Sequence, residues 1–138
     1  MVKDKYHLHF REALEKDGWT VTDDPLYIPI GNRRGFIDLG AERTLLGAER
    51  GKEKIAVEIK SFLGLSPMDD FEDALGKFRL YLGVLEELEP DRILFLAVPK
   101  PFFNKFFEDA IFMRIAQKND LKMIVFDFSK KIIEKWIN

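Results

Sequence analysis

The chain has 138 residues, 22 basic and 24 acidic side chains, two histidines and no cysteine. This length predicts a single domain over residues 1–138, and the missing cysteines exclude disulfides, thiolate zinc sites and cysteine nucleophiles. The net charge of −2 argues against a protein that grips nucleic acid by bulk positive charge, because nonspecific affinity comes from phosphate neutralisation.

The first part of the chain predicts one helix followed by broken β structure. Apolar residues at helical spacing predict a helix over Asp4–Asp17, and Gly18 stands where a helix commonly ends. From Trp19 to Ile30, β-forming residues are interrupted by Pro25 and Pro29. We therefore expect one short strand, or two fragments, near a sheet edge.

Two alternating segments predict an antiparallel strand pair. Residues Gly35–Ala41 and Lys54–Lys60 each alternate apolar and polar side chains, as half-buried strands do. The turn-rich segment between them, residues 47–52, is too short for a helical crossover. One face of the pair is expected to carry Ile37, Leu39, Ala41, Ile55, Val57 and Ile59, and the other Phe36, Asp38, Gly40, Lys54, Ala56, Glu58 and Lys60.

The second half predicts a helix-covered parallel region. A capping Ser66 followed by Pro67 starts a long helix that ends at Glu89–Pro90. The later segments are a central strand at Ile93–Val98, a helix over Phe103–Ile115, a strand at Met123–Phe128 and an ambiguous tail at Ile132–Ile137. The predicted order, αβββαβαβ, is that of an α/β protein with a mixed β-sheet flanked by helices.

Three charged residues of the strand pair are candidates for metal-dependent chemistry. Glu58 and Lys60 share one face, and Asp38 lies beside them if residue 38 pairs with residue 58. Adjacent carboxylates are unfavourable unless a cation sits between them, and Mg²⁺ prefers such oxygen ligands. The alternative is a solvated strand face with an ordinary Glu58–Lys60 ion pair; against it, Asp38 interrupts an otherwise apolar strand.

The segments Gly35-Phe36-Ile37-Asp38 and Val57-Glu58-Ile59-Lys60 resemble the motif of the PD-(D/E)xK nuclease superfamily. The resemblance implies a restriction-endonuclease-like fold and hydrolysis of DNA phosphodiesters. It assigns Asp38, Glu58 and the Ile59 backbone carbonyl as ligands of Mg²⁺ or Mn²⁺. It assigns Lys60 as the catalytic lysine.

A resemblance to the XisH family covers nearly the whole chain. It is carried by Lys16–Thr20, Asp24–Leu26, Ile37–Glu42 and Lys54–Phe62. Members are called fdxN-element excision controlling factors, and the resemblance implies a role in programmed excision of a DNA element with a XisI-like partner and a site-specific recombinase. It leaves two functions open, which are a Mg²⁺-dependent endonuclease-like protein and a catalytically inactive accessory factor that recruits such a partner to DNA.

Some related nucleases carry a further histidine and a Gln-x-x-x-Tyr motif near the same site. Here the first helix offers His7 and His9, with Glu12 as the acidic alternative. The helix after the Lys60 strand reads Lys77-x-x-x-Tyr81, so Tyr81 matches the motif and Lys77 departs from it. These residues are additional site candidates, with Lys77 a candidate for DNA contact.

Two further features concern partners and location. Arg33 and Arg34 precede the Asp38 strand and are candidates for phosphate contacts, although paired loop arginines are usually solvated. The four phenylalanines Phe102, Phe103, Phe106 and Phe107 cannot all face one side of a helix, so some are expected at a homodimer or partner interface. No apolar run suits a membrane span or a signal peptide, which predicts a cytoplasmic protein without membrane contact.

Overall fold

A computed structural model describes residues 5–44 and 51–138. The first half contains α1 (Lys5–Lys16), β1 (Thr20–Asp23), β2 (Leu26–Ile30), β3 (Arg33–Ile37), β4 (Leu39–Thr44) and β5 (Lys52–Ile59). The second half contains α2 (Pro67–Leu88), β6 (Arg92–Pro99), α3 (Lys100–Phe106), α4 (Ala110–Lys118), β7 (Met123–Asp127) and β8 (Ile132–Ile137).

The main sheet has six strands in the order β1-β4-β5-β6-β7-β8, and β2 pairs with β3 in a separate two-stranded sheet. The pairs β5–β6 and β6–β7 are parallel, whereas the pairs β1–β4, β4–β5 and β7–β8 are antiparallel. The long helix α2 connects the parallel neighbours β5 and β6, as a crossover requires. The predicted mixed sheet flanked by helices is therefore confirmed.

Two apolar cores lie on opposite faces of the sheet. Along β6, Leu94, Leu96 and Val98 pack with α2, α3 and α4, whereas Phe95 and Ala97 pack with α1. This alternation reflects the two-residue period of a strand that is covered on both sides. The central position predicted for β6 from its unbroken apolar run is what the structure shows.

The predicted single strand over Gly35–Ala41 is wrong, because the chain breaks at Asp38 into β3 and β4. Ile37 packs in the α2-side core, but Leu39 packs in the α1-side core, so the two do not share a face as expected. The physical reason is that β3 leaves the main sheet to pair with β2. Asp38 thus stands at the junction between the two sheets.

Other element predictions need smaller corrections. The predicted helix over Phe103–Ile115 is two helices, and Asp109 caps the second through a hydrogen bond from the Ile111 N–H. The ambiguous tail is an edge strand, and the fragments after Trp19 are β1 and β2. The observed order is therefore αβββββαβααββ. Asp4 and residues 45–50, which include most of the predicted turn, lie outside the described residues.

The start of α2 follows the predicted capping chemistry. The Ser66 hydroxyl accepts a hydrogen bond from the Asp69 N–H at 3.1 Å, Pro67 occupies the first turn, and the helix ends at Leu88. Phe71 and Phe78 anchor one face of α2 in the core. Across both described segments, no helix is long and apolar enough to cross a membrane.

Candidate functional site

The candidate site lies where the β4–β5 ladder ends. The last paired residues are Leu39 and Val57, and continuing the same register would place Asp38 opposite Glu58. Beyond this residue pair, hydrogen bonds from backbone N–H groups to side chains replace the backbone ladder. The Asp38 N–H donates to Glu58 Oε1 at 3.2 Å, and the Ile59 N–H donates to Asp38 Oδ2 at 2.8 Å. The two acids are therefore held side by side by the backbone N–H groups of Asp38 and Ile59.

Glu58 is buried, with 6% of its surface exposed. Burial, followed by the charge of Asp38, raises the Glu58 pKa from its ordinary value of 4.5 to about 7, and a hydrogen bond between the two carboxyl groups acts in the same direction. Lys77 opposes this shift through its own hydrogen bond and charge. A substantial fraction of Glu58 is therefore protonated near neutral pH, even with Lys77 beside it.

Lys77 is in direct contact with the Glu58 carboxylate. Its Nζ lies 2.5 Å from Glu58 Oε2, and its side chain is 44% exposed. Burial alone would lower the Lys77 pKa, but the hydrogen bond and charge of Glu58 outweigh it and raise the pKa. Lys77 Nζ also lies 5.7 Å from the Phe36 ring centroid and 5.6 Å from that of Tyr81.

Lys60 occupies a different environment from the one its sequence spacing suggests. It follows the last residue of β5, and its Nζ lies 4.0 Å from Asp70 Oδ1 in the first turn of α2. Asp70 also accepts a hydrogen bond from the Gly64 N–H at 3.1 Å, which ties the loop after β5 to the helix. Lys60 is therefore close in sequence to Glu58 but is paired with another acid.

The donor set at this site fits an oxygen-binding divalent ion. Asp38 and Glu58 supply carboxylate oxygens, and the hydrogen bond from the Ile59 N–H to Asp38 brings the backbone of residue 59 to the pair. Within residues 5–44 and 51–138, no group of three or more histidine and acidic side chains is placed to hold a metal. An ion here would need water or phosphate oxygens as well, which suits Mg²⁺.

The candidates on α1 are placed around another acid. His7 Nε2 lies 2.8 Å from Asp24 Oδ1, and Arg11 Nη1 donates to Asp24 Oδ2 at 2.6 Å. The ring of His9 packs 5.0 Å from that of Phe128. Glu12 is exposed. The structure thus groups His7 with Asp24 and Arg11 and places the Glu58 pair at the junction of β4, β5 and α2.

Tyr81 lies one helical turn after Lys77 and near β3. A Cβ atom at Gly35 would lie 3.6 Å from the Tyr81 hydroxyl oxygen, an ordinary contact distance, which shows that this hydroxyl lies against β3. Arg33 and Arg34 are exposed on β3, and the Arg34 guanidinium stacks 4.1 Å from the Tyr27 ring centroid. Both arginines are thus accessible to solvent, on the strand that leads into Asp38.

An apolar groove of about 490 Å³ lies beside the loop that follows β5. Its lining includes Phe62, Leu63, Phe102 and Phe106. Of the predicted phenylalanine cluster, Phe103 is buried, and Phe102, Phe106 and Phe107 are partly buried against the α2-side core. Leu63, which lines the groove, is strongly exposed, as is Leu65 two residues later in the same loop.

Sequence reasoning missed the partners of the charged residues. It did not pair Lys77 with Glu58, Asp70 with Lys60, or Asp24 with His7. A signal was present for Lys77, since Lys77 and Tyr81 are four residues apart and share one helix face. Nothing in the local sequence signals the long-range pairing of His7 with Asp24.

The fold and site define a mixed α/β protein with an acidic pair at the junction of two sheets, of which Glu58 is buried and Asp38 half-buried. A family model described as XisH protein matches residues 1–134, and the chain therefore belongs to the XisH family. A search of curated proteins gives no match.

Two crystal structures resemble the whole chain. One is an XisH family protein from Nostoc punctiforme PCC 73102, with 40% identity, a TM-score of 0.86, and coverage of 98% of this chain and 100% of that one. The other is a fdxN element excision controlling factor protein from Anabaena variabilis, with 42% identity, a TM-score of 0.86, and coverage of 99% and 100%. The match to the family therefore holds for the three-dimensional structure as well as for the sequence.

Proposed function

We propose that this XisH family protein is an excision controlling factor that acts on DNA as a Mg²⁺-dependent endonuclease-like protein. In this proposal its mixed sheet is of the restriction-endonuclease (PD-(D/E)xK) type. The single observation that carries the proposal is the Asp38–Glu58 pair, in which Glu58 is buried and accepts the Asp38 N–H while Asp38 accepts the Ile59 N–H. The name of the Anabaena variabilis relative supports the link to excision of a DNA element.

Each candidate residue has a role that follows from its position. Asp38, Glu58 and the Ile59 carbonyl would hold Mg²⁺ or Mn²⁺, which when bound supplies positive charge to a phosphodiester undergoing hydrolysis. Lys60 would orient a water or neutralise charge on the phosphate after leaving Asp70. Arg33 and Arg34, exposed on β3, would contact the DNA backbone.

A nicking assay with supercoiled plasmid and Mg²⁺ tests this proposal. Asp38→Asn and Lys60→Ala are expected to abolish nicking while the melting temperature stays near that of the unmodified protein. Lys52→Ala is the matched control, because Lys52 lies at the other end of β5 and pairs with Glu42 on the surface. Nicking that persists unchanged in Asp38→Asn and Lys60→Ala would overturn the catalytic assignment.

The second candidate function is an accessory factor that recruits a site-specific recombinase or a XisI-like partner to DNA. The apolar groove favours it, since Leu63 in its lining exposes 72% of its reference surface. The homodimer expected from the phenylalanine cluster stays a prediction, as does the binding of a partner.

Mg²⁺ calorimetry separates the two candidates. The endonuclease-like function requires Mg²⁺ binding that Glu58→Gln weakens strongly. An absence of Mg²⁺ binding, or binding that Glu58→Gln leaves unchanged, favours the accessory function. In that case Leu63→Asp is expected to reduce partner capture, and Leu88→Asp, at another exposed leucine at the far end of α2, serves as its control.

A further inference from the structure

Glu58 already has a cation in contact with it. Lys77 Nζ lies 2.5 Å from Glu58 Oε2, and the Glu58 side chain is only 8% exposed. The other Glu58 oxygen accepts the Asp38 N–H, so both oxygens of this carboxylate are engaged within the protein. An ion that binds Glu58 must therefore compete with groups of the chain itself.

Of these groups, the lysine is the one that can withdraw. The Asp38 N–H belongs to the backbone at a sheet junction, whereas Lys77 has a long flexible side chain on the surface of α2 that is 44% exposed. The rings of Phe36 and Tyr81 lie within 6 Å of its ammonium group. The lysine can thus leave Glu58 for solvent or for a phosphate without unfolding the helix.

We propose that Lys77 is an internal counter-cation that occupies Glu58 in the metal-free protein and moves to a DNA phosphate when Mg²⁺ takes its place. The inference rests on the proposed function, and it makes Lys77 a regulator of that site. Mg²⁺ and DNA then assist each other's binding, because the phosphate stabilises the position of Lys77 that leaves Glu58 open to the ion.

The position of Lys77 distinguishes it from the other lysine of the site. Lys60 is 4.0 Å from Asp70 and is held at the end of β5 by the bond from its backbone N–H to the Ala97 carbonyl at 3.1 Å. Lys77 contacts the candidate metal ligand itself. Removal of the Lys77 charge is consequently expected to strengthen Mg²⁺ binding, whereas loss of a catalytic lysine such as Lys60 would lower turnover.

The test is Mg²⁺ calorimetry on the intact protein at pH 8.5, above the Glu58 pKa of about 7. Lys77→Gln is expected to bind Mg²⁺ at least about fivefold more tightly than the unmodified protein, the lower end of typical coupling between sites. Lys77→Arg keeps the positive charge and should remain near the unmodified affinity. Lys52→Gln is the control for loss of a surface charge, and melting temperatures establish that each variant is folded.

A second arm adds a short phosphorothioate-linked duplex, which resists hydrolysis. The duplex is expected to tighten Mg²⁺ binding of the unmodified protein by a larger factor than that of Lys77→Gln. An equal factor in both proteins would overturn the coupling through Lys77.

The outcomes separate this inference from the proposed function. Equal or weaker Mg²⁺ binding by Lys77→Gln, with clear binding by the unmodified protein, overturns the role of Lys77 and leaves the Asp38–Glu58 ion site standing. Binding by Lys77→Gln alone supports the role of Lys77 and overturns Mg²⁺ binding by the unmodified protein in the absence of DNA. Absence of binding in both proteins overturns both.

Discussion

The two ends of the β4–β5 pair carry similar residues in different surroundings. At the outer end, Lys52 Nζ lies 3.1 Å from Glu42 Oε1, and Arg43 Nη2 lies 2.6 Å from Glu53 Oε1. These four side chains are between 29% and 59% exposed. At the inner end, Asp38 and Glu58 lie side by side, and the Glu58 side chain is 8% exposed.

The comparison shows that burial determines the energetic effect of a charged side chain on these two strands. Exposed ion pairs contribute about 0 to 1 kcal/mol, because water screens both charges. At the inner end two acids and one lysine meet, and the pKa of the buried Glu58 rises because water no longer stabilises its ionised form. The outer end therefore tolerates its charges, whereas the inner end requires a cation or a proton.

The largest expected effect comes from removing the apolar anchor of the inner end. Leu39 is fully buried and forms the last backbone pair before Asp38. Leu39→Ala should lower the free energy of unfolding by about 3 kcal/mol, since it removes buried methyl groups and leaves a cavity. Thr44→Ala, at the exposed outer end of β4, is the control in urea unfolding. Equal losses in the two variants would contradict the distinction between the ends.

The next effect is a pH dependence that belongs to the inner end alone. The folded Glu58 pKa, about 7, lies above its ordinary value of 4.5, so the folded state binds the proton more strongly. Its contribution to stability is complete below about pH 4.5 and is lost as the pH rises through 7. In EDTA, Glu58→Gln should reduce this loss by on the order of 2 kcal/mol between pH 4.5 and 8.

Urea unfolding at several pH values measures this dependence. Glu53→Gln serves as the matched control, because Glu53 lies on the same strand with 33% of its side chain exposed. A wild-type profile that Glu58→Gln leaves unaltered would show that Glu58 does not titrate in this range.

The smallest expected effect is at the outer end. Lys52→Gln should change the free energy of unfolding by less than about 0.5 kcal/mol, because the Lys52–Glu42 pair is exposed. The change should be smaller still in about 0.5 M salt, which screens the two charges. A loss comparable to that of Leu39→Ala would contradict the assignment of this pair to the screened surface.

Much of the fold was accessible from the sequence where the pattern was local. The cap at Ser66, the proline stop after Leu88 and the unbroken apolar run of β6 each have a local physical cause. The break at Asp38 was not accessible in this way. Alternation continues through residues 35–41, and only the pairing of β3 with β2 shows that the chain changes sheets.

For the candidate site too, the features set by local sequence could be predicted and those set by long-range packing could not. Strand alternation was enough to put Asp38 and Glu58 near each other if the two segments paired. Strand alternation could not predict that Lys77 is the cation beside Glu58. Lys77 lies 19 positions away on a helix, and the rotation of that helix about its axis is set by the burial of Phe71 and Phe78. Pairing of Lys60 with Asp70 likewise depends on where the loop after β5 meets that helix.

The central claim is that Asp38 and Glu58 form one site for a divalent ion. Carbon-13 NMR titration of the Glu58 side-chain carboxyl, with and without saturating Mg²⁺, tests this claim most directly. The account predicts a midpoint near pH 7 without the ion and a clearly lower midpoint with it, because Mg²⁺ favours the ionised carboxylate. A midpoint near the ordinary value of 4.5 that Mg²⁺ does not move would contradict it.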